Sequence, residues 1–133
     1  MSNKANGEFV VNIAPQEDRP IETLSRMTID KTFYGDLEGT SKGQMLAAST
    51  PVPHSAGYVA IERVEGSLHG GQGSFVLQHT ATMNRGEPSL IIHVVPDSGT
   101  GALTGLSGKL NVIMKDGKHL YEFDYSIDND AQA

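Results

Sequence analysis

The 133-residue chain contains no cysteine and no tryptophan, and aromatic residues make up 6% of it. Without cysteine the protein has no disulfide, no thiolate nucleophile and no zinc–thiolate site. No apolar run approaches the roughly 18 residues of a membrane-spanning helix, and the first residues lack the apolar segment of a signal peptide. We therefore expect a cytoplasmic protein with no membrane partner.

Basic residues are also scarce. The chain has 10 Lys and Arg against 16 Asp and Glu, which gives a net charge of −6. Because nucleic acids bind cationic surfaces, we expect no nucleic-acid partner. A hydrophobic content of 38% is typical of a globular chain and predicts a single domain over residues 1–133. Both ends are small and polar, so we expect the ordered core to span about residues 7–128.

The strongest structural signal is the dipeptide Asp116-Gly117, which lies between two segments of alternating polarity. Asp-Gly favours a type I′ turn, and this turn pairs Lys115 with Lys118. The resulting ladder places Ile113 and Leu120 on its outer face. Its inner face, directed toward a core, is predominantly apolar and aromatic: Leu110, Val112, Met114, His119, Tyr121, Phe123 and Tyr125. His119, next to the turn, is expected at a barrel mouth.

Similar alternation recurs along the chain and predicts eight strands joined by short turns. Closing such a meander removes its exposed edges. We therefore predict an all-β fold, a closed antiparallel eight-stranded barrel. The glycine-rich segment 99–105 predicts one short helical turn. The predicted strands span residues 8–13, 24–33, 40–48, 57–64, 73–83, 89–95, 108–114 and 118–126.

Lys31 stands out on the second strand. With a turn at residues 35–39 and Phe33 opposite Ser41, Lys31 falls on an otherwise apolar inner face. Two interpretations are open. The ammonium group either reaches the barrel rim while its stem packs on apolar surface, or it serves a function inside.

His79 stands out on the fifth strand. A loop at residues 84–87 pairs Met83 with Pro88 and turns His79 inward among apolar neighbours. A slip of one residue would set His79 opposite His93 and exchange the two faces. We favour the first register because it leaves four polar residues outside: Ser74, Gln78, Thr80 and Thr82.

Glu62 lies on the strand at 57–64, where both faces mix apolar and charged residues. If the face of Tyr58 points inward, Glu62 joins Lys31, His79 and Tyr121 inside the barrel. A buried carboxylate needs a charged or hydrogen-bonding partner. Such a cluster suits general acid–base chemistry on a small apolar substrate. The alternatives are a purely structural network and an outward Glu62.

Three ordered motifs carry a resemblance to a known family. They are GDLEGTS at 35–41, GSFVLQH at 73–79 and PDSGTGAL at 96–103. Over residues 24–127 the chain resembles an uncharacterised bacterial family of small single-domain proteins with an allene-oxide-cyclase-like β-barrel. This resemblance implies the barrel and no activity. Plant allene oxide cyclases use a buried Glu and amide side chains in the barrel cavity, and those residues have no match here, so no catalytic role is carried over.

Cofactor and metal motifs are missing. The segment 99–105 has Thr104 where a dinucleotide-binding fingerprint needs glycine. Lys109 replaces the last glycine of a nucleophile elbow. No two of the five histidines have the local spacing of metal ligands. We expect neither a cofactor nor a metal.

Three functional hypotheses remain. The first is a barrel that binds a small hydrophobic molecule in its interior. The second is an isomerase or cyclase acting on a lipid-like substrate, and the third is a packed oligomeric scaffold. The outward pair Ile113 and Leu120 favours a homo-oligomer, most simply a dimer. The candidate pocket-lining residues are His79, Glu62, Tyr58, Lys31, Tyr121, Phe75 and Phe33.

Overall fold

The computed structural model describes residues 2–18 and 20–128. Eight antiparallel strands follow one another in chain order and close into a barrel through pairing of the first with the last. The predicted fold is confirmed. A short 3₁₀ turn, Gly101–Leu103, lies at the predicted glycine-rich segment. The strands are β1 (Asn3–Pro15), β2 (Leu24–Gly35), β3 (Leu37–Ser49), β4 (Ala56–Leu68), β5 (Gly71–Asn84), β6 (Glu87–Val94), β7 (Leu106–Lys115) and β8 (Lys118–Ile127).

The first strand starts earlier than the sequence indicated. It begins at Asn3, which pairs with Tyr125 of β8, and Ala5 has no exposed surface. Pairing with β8 supplies the backbone hydrogen bonds that order this small, polar segment, and composition alone gives no sign of them. At the other end of the chain, residues 129–133 lie outside the described residues.

Two of the three predicted hairpins have the expected register. Asp116 and Gly117 have φ angles of 53° and 75°, as a type I′ turn requires, and Lys115 pairs with Lys118. The hairpin between β5 and β6 pairs Met83 with Pro88. His79 consequently lies opposite Ile92, as the favoured register predicted. Ser74, which we predicted to lie outside, is buried. Thr100 covers it, and the backbone nitrogen of Ser74 donates a hydrogen bond to the Thr100 hydroxyl.

The β2–β3 hairpin differs from the prediction by two residues. Phe33 pairs with Gly39, and Ser41 pairs with Lys31. The turn is tighter than the predicted five-residue loop because Gly35 takes a φ of 111°, which lets the chain reverse at Asp36. A shift of two residues keeps every side chain on its predicted face.

The barrel interior has a packed end and an open end. At the packed end, the rings of Phe75 and Phe123 stack with centroids 5.8 Å apart, and Leu103 of the 3₁₀ turn is buried in the same core. At the open end, apolar side chains reach solvent: Leu90 and Met114 are 42% and 60% exposed.

The wall is weakest between β6 and β7. Within the described residues, the ladder between these strands contains the single pair His93–Lys109. The neighbouring β5–β6 ladder runs from Leu77 to Asn84. In the described residues the ladder between β6 and β7 is therefore not continuous. No helix in the described part of the chain is long and apolar enough to cross a membrane.

Candidate functional site

A cluster of polar side chains is buried midway along the barrel, with Glu62 at its centre. Oε2 of Glu62 lies 2.8 Å from Nζ of Lys31 and 2.5 Å from Nε2 of His79. Oε1 accepts a hydrogen bond of 2.7 Å from the hydroxyl of Ser41. The Glu62 side chain has no exposed surface. Four neighbouring strands, β2 to β5, thus each contribute one member of the cluster.

The face of Tyr58 points inward, which answers the question left open for β4. Ala60, Glu62 and Val64 are buried on that face, whereas Val59 and Ile61 are exposed on the other. The inward face of β4 therefore carries Glu62 into the interior.

Lys31 and Glu62 meet across an intervening strand because β3 has small residues there. Ser41 pairs with Lys31, and Gly43 pairs with Glu62. A Cβ atom at Gly43 would lie 2.8 Å from Cβ of Glu62. The missing side chain leaves room for the carboxylate.

Glu62 is ionised at neutral pH. Burial alone would raise its pKa, but the hydrogen bond from His79 and the charge of Lys31 outweigh burial and lower the pKa to about 2. The Lys31 ammonium balances the carboxylate charge. It also lies 4.8 Å from the ring centroid of Phe9 and 5.9 Å from that of Phe33, where the ring faces stabilise a cation.

A cavity of about 260 Å³ lies beside this cluster at the open end of the barrel. Lys31, Tyr58, His79 and His119 are its polar lining residues. The placement of His119 at the mouth agrees with the sequence analysis. The rest of the lining is apolar: Phe9, Val11, Ile13, Ile29, Met45, Leu90, Ile92, Val112 and Met114.

His79 lines this cavity and binds Glu62 through one of its two ring nitrogens. Because ionised Glu62 only accepts hydrogen bonds, Nε2 of His79 must carry the proton between them. Every buried side-chain nitrogen or oxygen in the described residues has a hydrogen-bond partner. Nδ1 of His79 makes no hydrogen bond to another described residue, so it is not a fully buried atom, and His79 lines the cavity.

Tyr58 offers a second polar group. Its hydroxyl makes no hydrogen bond to another described residue, and it lines the same cavity as His79. Burial, and then the negative charge of Glu62, raise the pKa of Tyr58. Its hydroxyl therefore stays protonated at neutral pH and can donate a hydrogen bond to a molecule in the cavity.

Four of the seven candidate residues come together: Lys31, Glu62, His79 and Tyr58. The imidazole and the ammonium bind the same carboxylate oxygen, and the phenol of Tyr58 lines the same cavity as both of them. In the part of the chain that the structure describes, no three His, Asp or Glu side chains are placed to hold a metal ion.

The other three candidates, Tyr121, Phe33 and Phe75, lie in the packed core and do not line this cavity. The Tyr121 hydroxyl accepts a hydrogen bond of 2.9 Å from the backbone nitrogen of Leu37 at the packed end. Alternation predicts which face of a strand points inward, but it does not predict how far along the barrel axis a side chain lies.

Sequence reasoning missed two members of the site. A predicted position opposite Phe33 indicates that Ser41 faces inward, but no local motif marks its contact with Glu62. Phe9 lies under the Lys31 ammonium. The alternation of Phe9, Val11 and Ile13 in β1 was the available signal for the cavity wall that this strand provides.

Fold and site together define a small antiparallel β-barrel that is packed at one end and has a cavity over a buried charged cluster at the other. The chain belongs to the DUF3224 family, described as proteins of unknown function, whose profile matches residues 5–125. It is similar to a DUF3224 protein of unknown function from Shewanella oneidensis MR-1, known from a crystal structure. The two share 47% identity and a TM-score of 0.92, over 96% of this chain and 98% of that one.

No curated protein matches the chain. The resemblance to a family of unknown function with a barrel fold is thus confirmed. The likeness to allene oxide cyclases stays a prediction from the sequence.

Proposed function

We propose that the protein binds a small hydrophobic molecule in the cavity at the open end, with the polar group of that molecule against Lys31, Tyr58 and His79. The observation that carries this proposal is the combination of an apolar wall with a few convergent polar groups that retain hydrogen-bonding capacity. This combination is typical of small-molecule sites. A volume of about 260 Å³ favours a small ligand.

The buried charge supports a binding role over a purely structural one. Replacing a buried ion pair by apolar residues of similar size is often neutral or stabilising. A barrel that only packs has no need of Lys31, Glu62 and His79 in its interior. The packed scaffold is therefore the weaker alternative.

The cytoplasmic location stays a prediction from the sequence.

The first test is native mass spectrometry of the protein purified from its own host. We expect a co-purifying small molecule whose mass adds to that of the chain. The same spectrum reports the number of subunits. A spectrum with no adduct, together with no binding of an apolar fluorescent probe in solution, would contradict the proposal.

A matched pair of variants locates the site. Met45→Trp fills the cavity from β3, so we expect it to abolish probe binding. Leu46→Trp is the control, because Leu46 is the next residue and points outward, with 56% of its surface exposed. Leu46 also lines a larger, open groove of about 620 Å³, which Tyr58 lines as well. Loss of binding in Leu46→Trp alone would place the ligand in that groove.

A second candidate function, an isomerase, is favoured by the Glu62–His79 pair. When a buried carboxylate accepts the Nε2 proton of a neutral imidazole, Nδ1 is the nitrogen that can act as a base. Lys31 and Tyr58, which line the same cavity, would stabilise the enolate oxygen formed when a proton leaves the carbon beside a carbonyl group.

This second function has its own test. An isomerase of this kind exchanges the protons beside a carbonyl group with solvent deuterium, which NMR detects. We expect exchange in the wild type and its loss in His79→Gln, with the affinity for the same ketone retained. Equal exchange with and without protein would exclude this function and leave the binding proposal standing.

A further inference from the structure

We infer that the ligand is electrically neutral and carries a hydrogen-bonding oxygen, as a medium-chain ketone or alcohol does, in contrast to a fatty-acid anion or an alkylammonium. This inference rests on the proposed function and specifies its ligand class. The observation behind it is the charge balance of the cluster beside the cavity.

An anionic ligand finds no lysine or arginine in this cavity whose charge is not already paired. Among the described residues that line the cavity, Lys31 is the only lysine or arginine, and its ammonium is already paired with Glu62 at 2.8 Å. A carboxylate beside it would add a second negative charge next to a carboxylate that stays ionised. Two like charges at close range in a poorly solvated interior repel strongly.

A cationic ligand lacks a partner as well. The carboxylate of Glu62 already accepts hydrogen bonds from three donors, on Lys31, His79 and Ser41. Its side chain has no exposed surface, so a ligand ammonium cannot reach it. An alkylammonium would instead lie beside the positive charge of Lys31.

A neutral oxygen fits the groups that remain. The Lys31 ammonium has three N–H donors, and one of them serves Glu62. The Tyr58 hydroxyl is a further donor. The oxygen of a ketone or an alcohol accepts hydrogen bonds from Lys31 and Tyr58. Neither changes the charge of the cluster.

The test compares eight-carbon probes of equal length by isothermal titration calorimetry at neutral pH: 2-octanone, 1-octanol, octanoate and octylamine. We expect the two neutral probes to bind at least about tenfold more tightly than either charged probe. Tightest binding of octanoate or octylamine would overturn this inference and leave the proposed function intact. No binding by any probe, and none by the fluorescent dye, would overturn both.

Charged probes lose more hydration on binding than neutral ones, which by itself weakens their affinity. A variant is therefore needed to separate this effect from the charge of the cluster. In Glu62→Gln the Lys31 ammonium loses its counter-ion. We expect octanoate to gain at least about tenfold in affinity there, while 1-octanol changes little. An unchanged affinity for octanoate in folded Glu62→Gln would overturn the inference.

A second variant covers the case in which Glu62→Gln does not fold. Lys31→Met combined with Glu62→Gln removes both charges and keeps the cluster neutral. We expect octanoate to remain the weaker probe, and both neutral probes to bind less tightly than to wild type because the Lys31 donor is gone. A gain for octanoate in this double variant would contradict the charge argument.

Discussion

The Nζ atom of Lys31 lies 2.8 Å from Oε2 of Glu62, although β3 separates the strands that carry them. The two side chains meet over β3 at Ser41 and Gly43, where β3 carries a small side chain or none. The contact removes two charges from water and pairs them, with Ser41 and His79 completing the carboxylate. Replacing both partners of such a pair by apolar residues is often neutral for stability, whereas removing one partner leaves a buried charge unpaired.

The first prediction concerns this pair. Lys31→Met and Glu62→Gln should each lower the free energy of unfolding by about 3–5 kcal/mol, because each leaves one buried charge unpaired. The double variant should lose less than the sum of the two, since no charge is then left behind. Urea denaturation measures all three. Strictly additive losses would contradict the pairing.

The second prediction tests the close approach of β4 to β3 at Gly43. A Cβ atom there would lie 2.2 Å from the carbonyl oxygen of Ile61, which is backbone and cannot rotate away. Gly43→Ala should therefore lower the free energy of unfolding by about 3 kcal/mol, at the upper end of overpacking costs.

Gly57→Ala is the matched control on β4, because the nearest atom to its Cβ would be 3.6 Å away, an ordinary contact. It should change stability by less than about 1 kcal/mol. Equal losses in the two variants would show that the close approach at Gly43 does not matter. Thermal unfolding compares them directly.

The fold could be predicted from the sequence because alternation and turn chemistry act locally. Asp116-Gly117 fixed the last ladder, and even the two-residue error at Phe33 preserved the faces. The site was predicted only in part. His79 and Tyr121 both point inward, yet one lies at the cavity and the other at the packed end. That difference depends on the stagger of the strands around the barrel, which no local pattern encodes.

The third prediction is the dimer expected from the sequence. Ile113 pairs with Leu120 on the outer face of the last hairpin, and Ile113 is 37% exposed. Light scattering should give twice the 14.2 kDa of one chain. Ile113→Lys should shift the protein to the monomer by placing a charge in the contact, whereas Val10→Lys, on the exposed outer face of β1, should not. A monomeric wild type at all working concentrations would exclude the dimer.

The fourth prediction separates Tyr121 from the binding site. Tyr121→Phe removes the hydroxyl that accepts from the backbone nitrogen of Leu37, a fully buried residue. Leaving that donor without a partner should lower the free energy of unfolding by about 1–3 kcal/mol. The affinity for 1-octanol should stay within about twofold of wild type, because the hydroxyl lies at the packed end. A large loss of affinity with unchanged stability would instead place Tyr121 in the site.

The fifth prediction is a pH dependence of stability that comes from Glu62. Its pKa is lowered from 4.5 to about 2 in the folded protein. A carboxyl group with a lowered pKa stabilises the folded state fully above its unfolded pKa. That stabilisation, on the order of 3 kcal/mol, is lost as the pH falls from about 4.5 toward 2.

Glu62→Gln does not titrate at this position, so it isolates the contribution of Glu62 from that of the other acidic residues. Wild type should be the more stable protein at neutral pH, and the difference between the two should narrow as the pH falls below about 4.5. Urea denaturation of both proteins between pH 7 and pH 2.5 measures it. A constant difference across that range would mean that Glu62 titrates in the folded protein as it does in the unfolded chain, and that Lys31 and His79 do not hold its charge.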